Sequence, residues 1–173
     1  MTLSTIIILM LFIVIAFYYD IKFHIIPNKL ILIFLPLGLI NSIIVNQMEG
    51  IISSGLGFLV SGGIMMILYV FKALAAGDVK LFATIGVIAG IGFSLYCMMY
   101  TIVIGGILAI VILLFTRTFL SQMLSAVQHI GMSLIFKNTN PLHTFKATKA
   151  TTMPFMVAVL PGALITLYYM YLA

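Results

Sequence analysis

Two aspartates, Asp20 and Asp78, are the residues of this sequence best placed to do chemistry. Asp20 closes the first apolar run, Leu3–Tyr19, and Asp78 follows Ala75-Ala76-Gly77 and opens the fourth, at Leu81. An ionisable acid within hydrocarbon costs about 2.5–3.5 kcal/mol on insertion scales. A chain with three acids among 173 residues that keeps two at the same depth therefore needs an explanation. The third, Glu49, lies in a polar turn, Asn46-Gln47-Met48-Glu49-Gly50, and carries no such signal. Two neighbouring carboxyls cannot both ionise easily, so one keeps a proton near neutral pH. The charged partner can take a proton from water as that water attacks an amide carbonyl, and the protonated one can donate to the oxyanion or leaving nitrogen. That is aspartic proteolysis, which uses no metal and no nucleophilic side chain. A structural role competes with it, because aspartates near helix ends also cap N-termini or pair with lysine. Asp78 precedes a helix and has Lys72 and Lys80 near it in sequence, so capping suits it. It suits Asp20 less, since a negative charge opposes the macrodipole at a helix C-terminus.

Other site chemistries find little support. There is no His-Glu-x-x-His pattern, and His24, His129 and His143 are scattered over two loops, so no metal or other cofactor is expected. Cys97 is the single cysteine and sits in an apolar run, which excludes a disulfide framework. Ser61-Gly62-Gly63 lies in the middle of an apolar stretch with no basic residue nearby. It reads as a small-residue packing surface, as does Gly86-x-x-x-Gly90. The net charge of +5 is read as a membrane orientation signal, with no nucleic-acid partner expected.

The elements that must position these residues follow from composition. Apolar residues make up 64% of the chain and charged residues 6%, against roughly a quarter charged in soluble domains. Disorder is excluded by the same hydrophobicity. With roughly 20 residues per crossing, the chain is expected to be all-α, a single membrane domain over 1–173 with about six transmembrane helices. Four spans are plain, at about 3–19, 30–45, 51–71 and 154–172. The run from Leu81 to Thr116 would reach about 54 Å as one helix, too long for a ~30 Å core. A break near Gly90-Ile91-Gly92-Phe93-Ser94 divides it into spans at about 81–92 and 95–116. Six spans put all eight lysines and arginines in the odd loops, so these face the cytoplasm and both termini face outside. An interfacial cytoplasmic helix is expected at about 119–136. The first segment lacks a basic start and a small-residue cleavage site, and so reads as a retained helix.

At these residues the sequence resembles the prepilin peptidases, the type IV leader peptidases that stand with the GxGD-type intramembrane aspartic proteases. One motif is Asp20-Ile21-Lys22-Phe23-His24-Ile25-Ile26-Pro27-Asn28. The other is Ala75-Ala76-Gly77-Asp78-Val79-Lys80-Leu81, similar to the family's Gly-x-Gly-Asp-x-Lys-Leu. Met153-Pro154-Phe155 and Pro161-Gly162 are weaker echoes. The departure is Ala75, where the family usually has glycine; alanine restricts φ.

The resemblance implies an aspartic endopeptidase in the inner (cytoplasmic) membrane, with Asp20 and Asp78 as its catalytic pair. Its substrate would be a prepilin or Flp-type pilin precursor: a basic leader, a glycine at the cut site, then an apolar helix held in the bilayer. Gly77 would let the substrate backbone approach Asp78, and Lys80 would orient the loop or meet a lipid phosphate. Pro27 and Asn28 are expected to start the second helix, Asn28 as its cap. Bifunctional relatives carry a cysteine-rich domain linked to N-methylation before the first aspartate. Here Tyr19 runs straight into Asp20, which resembles the peptidase-only form of Tad/Flp-type systems, with small competence-type or archaeal-like relatives as the alternative. The alternative from another class is a small proton- or cation-coupled transporter that uses Asp20 and Asp78. The sequence leaves the oligomeric state open.

Overall fold

The computed structural model describes residues 1–71, 74–115 and 155–171, with the side chains of 113–115 excepted. The expected interfacial segment at 119–136 lies outside the described residues. Among the described residues four helices follow in order: α1 (Leu3–Phe23), α2 (Asn28–Val70), α3 (Ala76–Phe115) and α4 (Met156–Tyr171). The first three are long and apolar enough to cross a membrane, and α4 is a shorter apolar helix. The chain divides into two compact units, Met1–Gly105 with Pro154–Ala173, and Gly106–Met153. In the second, the described residues are the continuation of α3.

The two longest helices are each interrupted by one residue of non-helical backbone. In α2 it is Gln47, at φ 50° and ψ −125°; in α3 it is Gly90, at φ 80° and ψ 172°. We denote the halves α2a (28–46), α2b (48–70), α3a (76–89) and α3b (91–115). At Gln47 the chain reverses. The Ser42 hydroxyl donates to the Gly50 carbonyl at 3.0 Å, whereas residues eight apart in one straight helix stand about 12 Å apart. At Gly90 the positive φ suits a residue without Cβ, so this glycine makes the break while Gly86 makes the packing contact. Gln47 is a β-carbon residue in a region that costs about 1–3 kcal/mol. Gln47→Gly should therefore raise stability by about 1 kcal/mol, read as a higher melting temperature in detergent, and Gln47→Val should lower it.

Packing within the first unit runs from small residues outward. Ser54 of α2b donates to the Val87 carbonyl at 2.8 Å, and Ser61 to the Phe82 carbonyl at 3.1 Å. These pairings run in opposite senses along the chain, so α2b and α3a are antiparallel. Gly57 and Gly86 lie between them, backbone against backbone. On the other side α1 meets α2a antiparallel, through Asn41 to Thr5 at 2.9 Å and Phe12 on Phe34 with ring centroids 5.2 Å apart. Gly162 of α4 packs on Thr101 of α3b, and Gly105 on Ala158. The core of α1 is Leu9, Phe12, Ile13 and Ala16, while Leu3, Ile7, Leu11 and Val14 are exposed along a different face. A helix apolar on both faces suits lipid around it and protein beneath it.

Candidate active site

Asp20 belongs to the last turn of α1, which continues past it to Phe23. The sequence reading closed the first span at Tyr19; the helix persists because His24 ends it in the left-handed conformation and donates its N–H to the Asp20 carbonyl at 2.9 Å. The Asp20 side chain is buried, 8% exposed. Its Oδ2 accepts from the backbone N–H of Met156 at 2.9 Å. Met156 is the first residue of α4, so Asp20 caps a helix 136 residues away in sequence. The charge opposes the dipole of α1 but favours the positive end of α4. Phe155, beside it, packs on Phe82 with centroids 6.3 Å apart, which ties the start of α4 to α3a.

Asp78 lies in the first turn of α3 and is also buried, 7% exposed. Its Oδ2 accepts from the Ala75 N–H at 3.0 Å, and its own N–H donates to the Ala75 carbonyl at 3.1 Å. A side chain in the third helical position reaching back to the N-cap N–H is one half of a capping box. Both aspartates thus spend one carboxylate oxygen on a helix N-terminus.

The two aspartates line one cavity of about 350 Å³ with His24, Ile26, Asn28, Gly77 and Lys80. Lys80 donates to the Asn28 side-chain oxygen at 2.8 Å, so the two sequence motifs are joined directly. Asn28 is therefore not the cap of α2. Pro27 holds the N-cap position with extended backbone (φ −68°, ψ 133°), and Asn28 is freed to accept from Lys80. Gly77 is helical, and a Cβ there would meet Ile26 at ordinary contact distance, 3.6 Å. Ala75 is absent from the positive-φ residues, so its β-carbon brings no backbone strain. Among the described residues no group of three or more His, Cys, Asp or Glu could hold a metal ion.

Set beside known protein families, residues 7–110 match the type IV leader peptidase family. The chain belongs to that family. The matched stretch is more than half of the sequence and holds both aspartates and both motifs. No curated protein and no solved structure matches the chain. Type IV leader peptidases are proteases of aspartic type that act on prepilin-like substrates, and with its long apolar helices this member is an integral membrane protein.

The N-terminus of α4 is the site component that sequence reasoning missed. Met153-Pro154-Phe155 was noted only as a motif echo. In the sequence, the proline of Met153-Pro154-Phe155 is the one local signal of a helix start there. Lys80 to Asn28 was equally silent, since nothing in either motif names the other as partner.

Proposed function

We propose that this protein is an aspartic endopeptidase that removes the basic leader from type IV prepilin-like precursors at the cytoplasmic membrane face. Asp20 and Asp78 are its catalytic pair. The observation that carries this reading is the single cavity lined by both buried aspartates, which come from motifs 58 residues apart in sequence. Water held between the carboxyls loses a proton to the ionised one as it attacks the scissile carbonyl, and the other carboxyl protonates the leaving nitrogen. The roles of acid and base belong to the pair and are not divided between the two residues. The oxygen each aspartate gives to a helix N-terminus fixes its rotamer, which is what positioned carboxyls need.

On this reading the chain crosses the membrane six times and the cavity faces the cytoplasm. In support, Lys22 and Lys80 lie within the two motifs and Lys29 and Lys72 flank them, as the positive-inside rule requires of cytoplasmic loops. A single cysteine in the sequence supports the form without N-methyltransferase activity, and Flp-type pilins as the precursors. Lys80 acts by holding the second motif against Asn28, and so orients the loop.

The test is processing of a prepilin by the carboxamide variants Asp20→Asn and Asp78→Asn. A second variant separates fold from approach at the cut site. Gly77→Ala adds a Cβ that the fold accommodates, and alanine is favoured over glycine in a helix by about 1 kcal/mol. It should keep or raise the melting temperature while slowing cleavage, because the substrate backbone loses its closest approach to Asp78. Unchanged cleavage by Gly77→Ala would remove Gly77 from the substrate path. Ala75→Gly should be tolerated in both respects.

A further inference from the structure

A second cavity adjoins the aspartate pocket. It measures about 480 Å³ and is bounded by Ile31 of α2a, Phe58, Gly62 and Gly63 of α2b, and Ala83 of α3a. Lys80 lines both cavities, so they share a wall. Resting on the proteolytic reading, we propose that this groove seats the apolar helix of the precursor that follows the bond to be cut.

The register of the helices gives the groove its direction. Ser61 faces Phe82 across an antiparallel pair, which sets Gly63 level with Lys80 and Phe58 further from the aspartates. From Met66 to Phe58 the groove extends for about 12 Å along α2b. It therefore starts beside Asp78 and descends into the apolar layer. Among larger apolar side chains, part of its floor is small: Gly62, Gly63 and Ala83. A Cβ at Gly63 would meet nothing within 4 Å, and one at Gly62 would meet only Ala83, its Cβ at 3.2 Å. Small floors of this kind let a second helix backbone come close, which is how helices associate in lipid. The Lys80 ammonium donates to Asn28 at 2.8 Å and stands at the boundary between the two cavities. An acyl chain would fill an apolar recess anywhere on the surface and would gain nothing from a wall shared with a carboxylate pocket. A peptide held between Asp20 and Asp78 lies next to this recess, with Lys80 at the boundary, so its apolar part has a neighbouring apolar surface to enter.

Gly63→Phe fills the groove from a position where the fold has space. Gly55→Phe is the control, since a Cβ there also meets nothing within 4 Å and Gly55 is not part of the groove. Both are reconstituted in phospholipid vesicles with a membrane-embedded prepilin. They are also given a short water-soluble peptide that spans the same junction without the apolar helix. Gly63→Phe should slow precursor cleavage about tenfold or more and spare the peptide, with Gly55→Phe normal on both. Wild-type rates on the precursor would overturn the proposal and leave lipid as the occupant. Equal loss on precursor and peptide would also overturn it, by placing the damage in the aspartate pocket. Gly63→Cys adds a direct reading, because the one native thiol, Cys97, is buried. A cross-link to a cysteine in the precursor helix is expected, and a cross-link to a second copy of the chain in its place would contradict the assignment. If the wild-type protein cleaves no precursor at all, it is the proteolytic reading that has failed.

Discussion

Asparagine at position 20 or 78 should cut leader removal by about 10³-fold, the scale of a lost general acid or base, while the protein still inserts and folds. The choice of asparagine follows from the site. The side chain of Asp20 accepts from the Met156 N–H, and that of Asp78 from the Ala75 N–H. An asparagine carbonyl accepts the same bond in nearly the same shape, so the cap survives and the ionisable proton does not. Alanine would remove both. It should add a stability loss of about 1 kcal/mol from the missing cap, seen as a lower melting temperature in detergent. Comparing the two substitutions on cleavage and melting together divides the structural work of each aspartate from the chemical work proposed for it. Asparagine variants that lose activity only in proportion to lost folded protein would return both aspartates to a capping role.

The largest effect on stability is expected at Gly86. A Cβ there would run into the Gly57 carbonyl and the Ser61 hydroxyl, and Ser61 is fully buried with its hydroxyl held by the Gly57 and Phe82 carbonyls. Neither obstacle is the flexible end of a side chain, so relief requires α2b and α3a to separate. Gly86→Val should cost about 3 kcal/mol, at the upper end of overpacking, and should sharply reduce the folded protein recovered in detergent. Gly62→Ala is the matched control, for its Cβ would press only on the Ala83 Cβ at 3.2 Å, and a small shift absorbs that. Because α3a begins at the aspartate loop, Gly86→Val should also impair cleavage, but only as far as folding fails. A melting curve for each variant checks this.

Some of this architecture is legible in the amino-acid sequence and some is not, for physical reasons. Hydrocarbon admits few polar groups, so runs such as Leu3–Tyr19 declare themselves by composition alone. The interruption of the longest run shows as glycines, because a positive φ at Gly90 selects for a residue without Cβ. The interruption at Gln47 has only the polar stretch around it as a sign. Its backbone is imposed by the close contact of Ser42 with Gly50, which no local preference encodes. The aspartates stand out because charge is so rare in this chain, and their motifs carry the family resemblance. What each aspartate does for the fold was hidden. A dipole argument on α1 alone made capping an unlikely role for Asp20, yet the helix it caps is α4, brought there by tertiary packing. Asn28 was misplaced for the same reason, since the partner that claims its side chain, Lys80, comes from another motif.

The central claim is that Asp20 and Asp78 act as one chemical unit, and a double-variant cycle measures this most directly. Initial rates of prepilin cleavage in vesicles are compared for Asp20→Asn, Asp78→Asn and the two combined. Groups that work as a unit are strongly non-additive, so the double variant should be no slower than either single one. Residual rates that multiply, or a single variant that cleaves at the wild-type rate, would contradict the pairing.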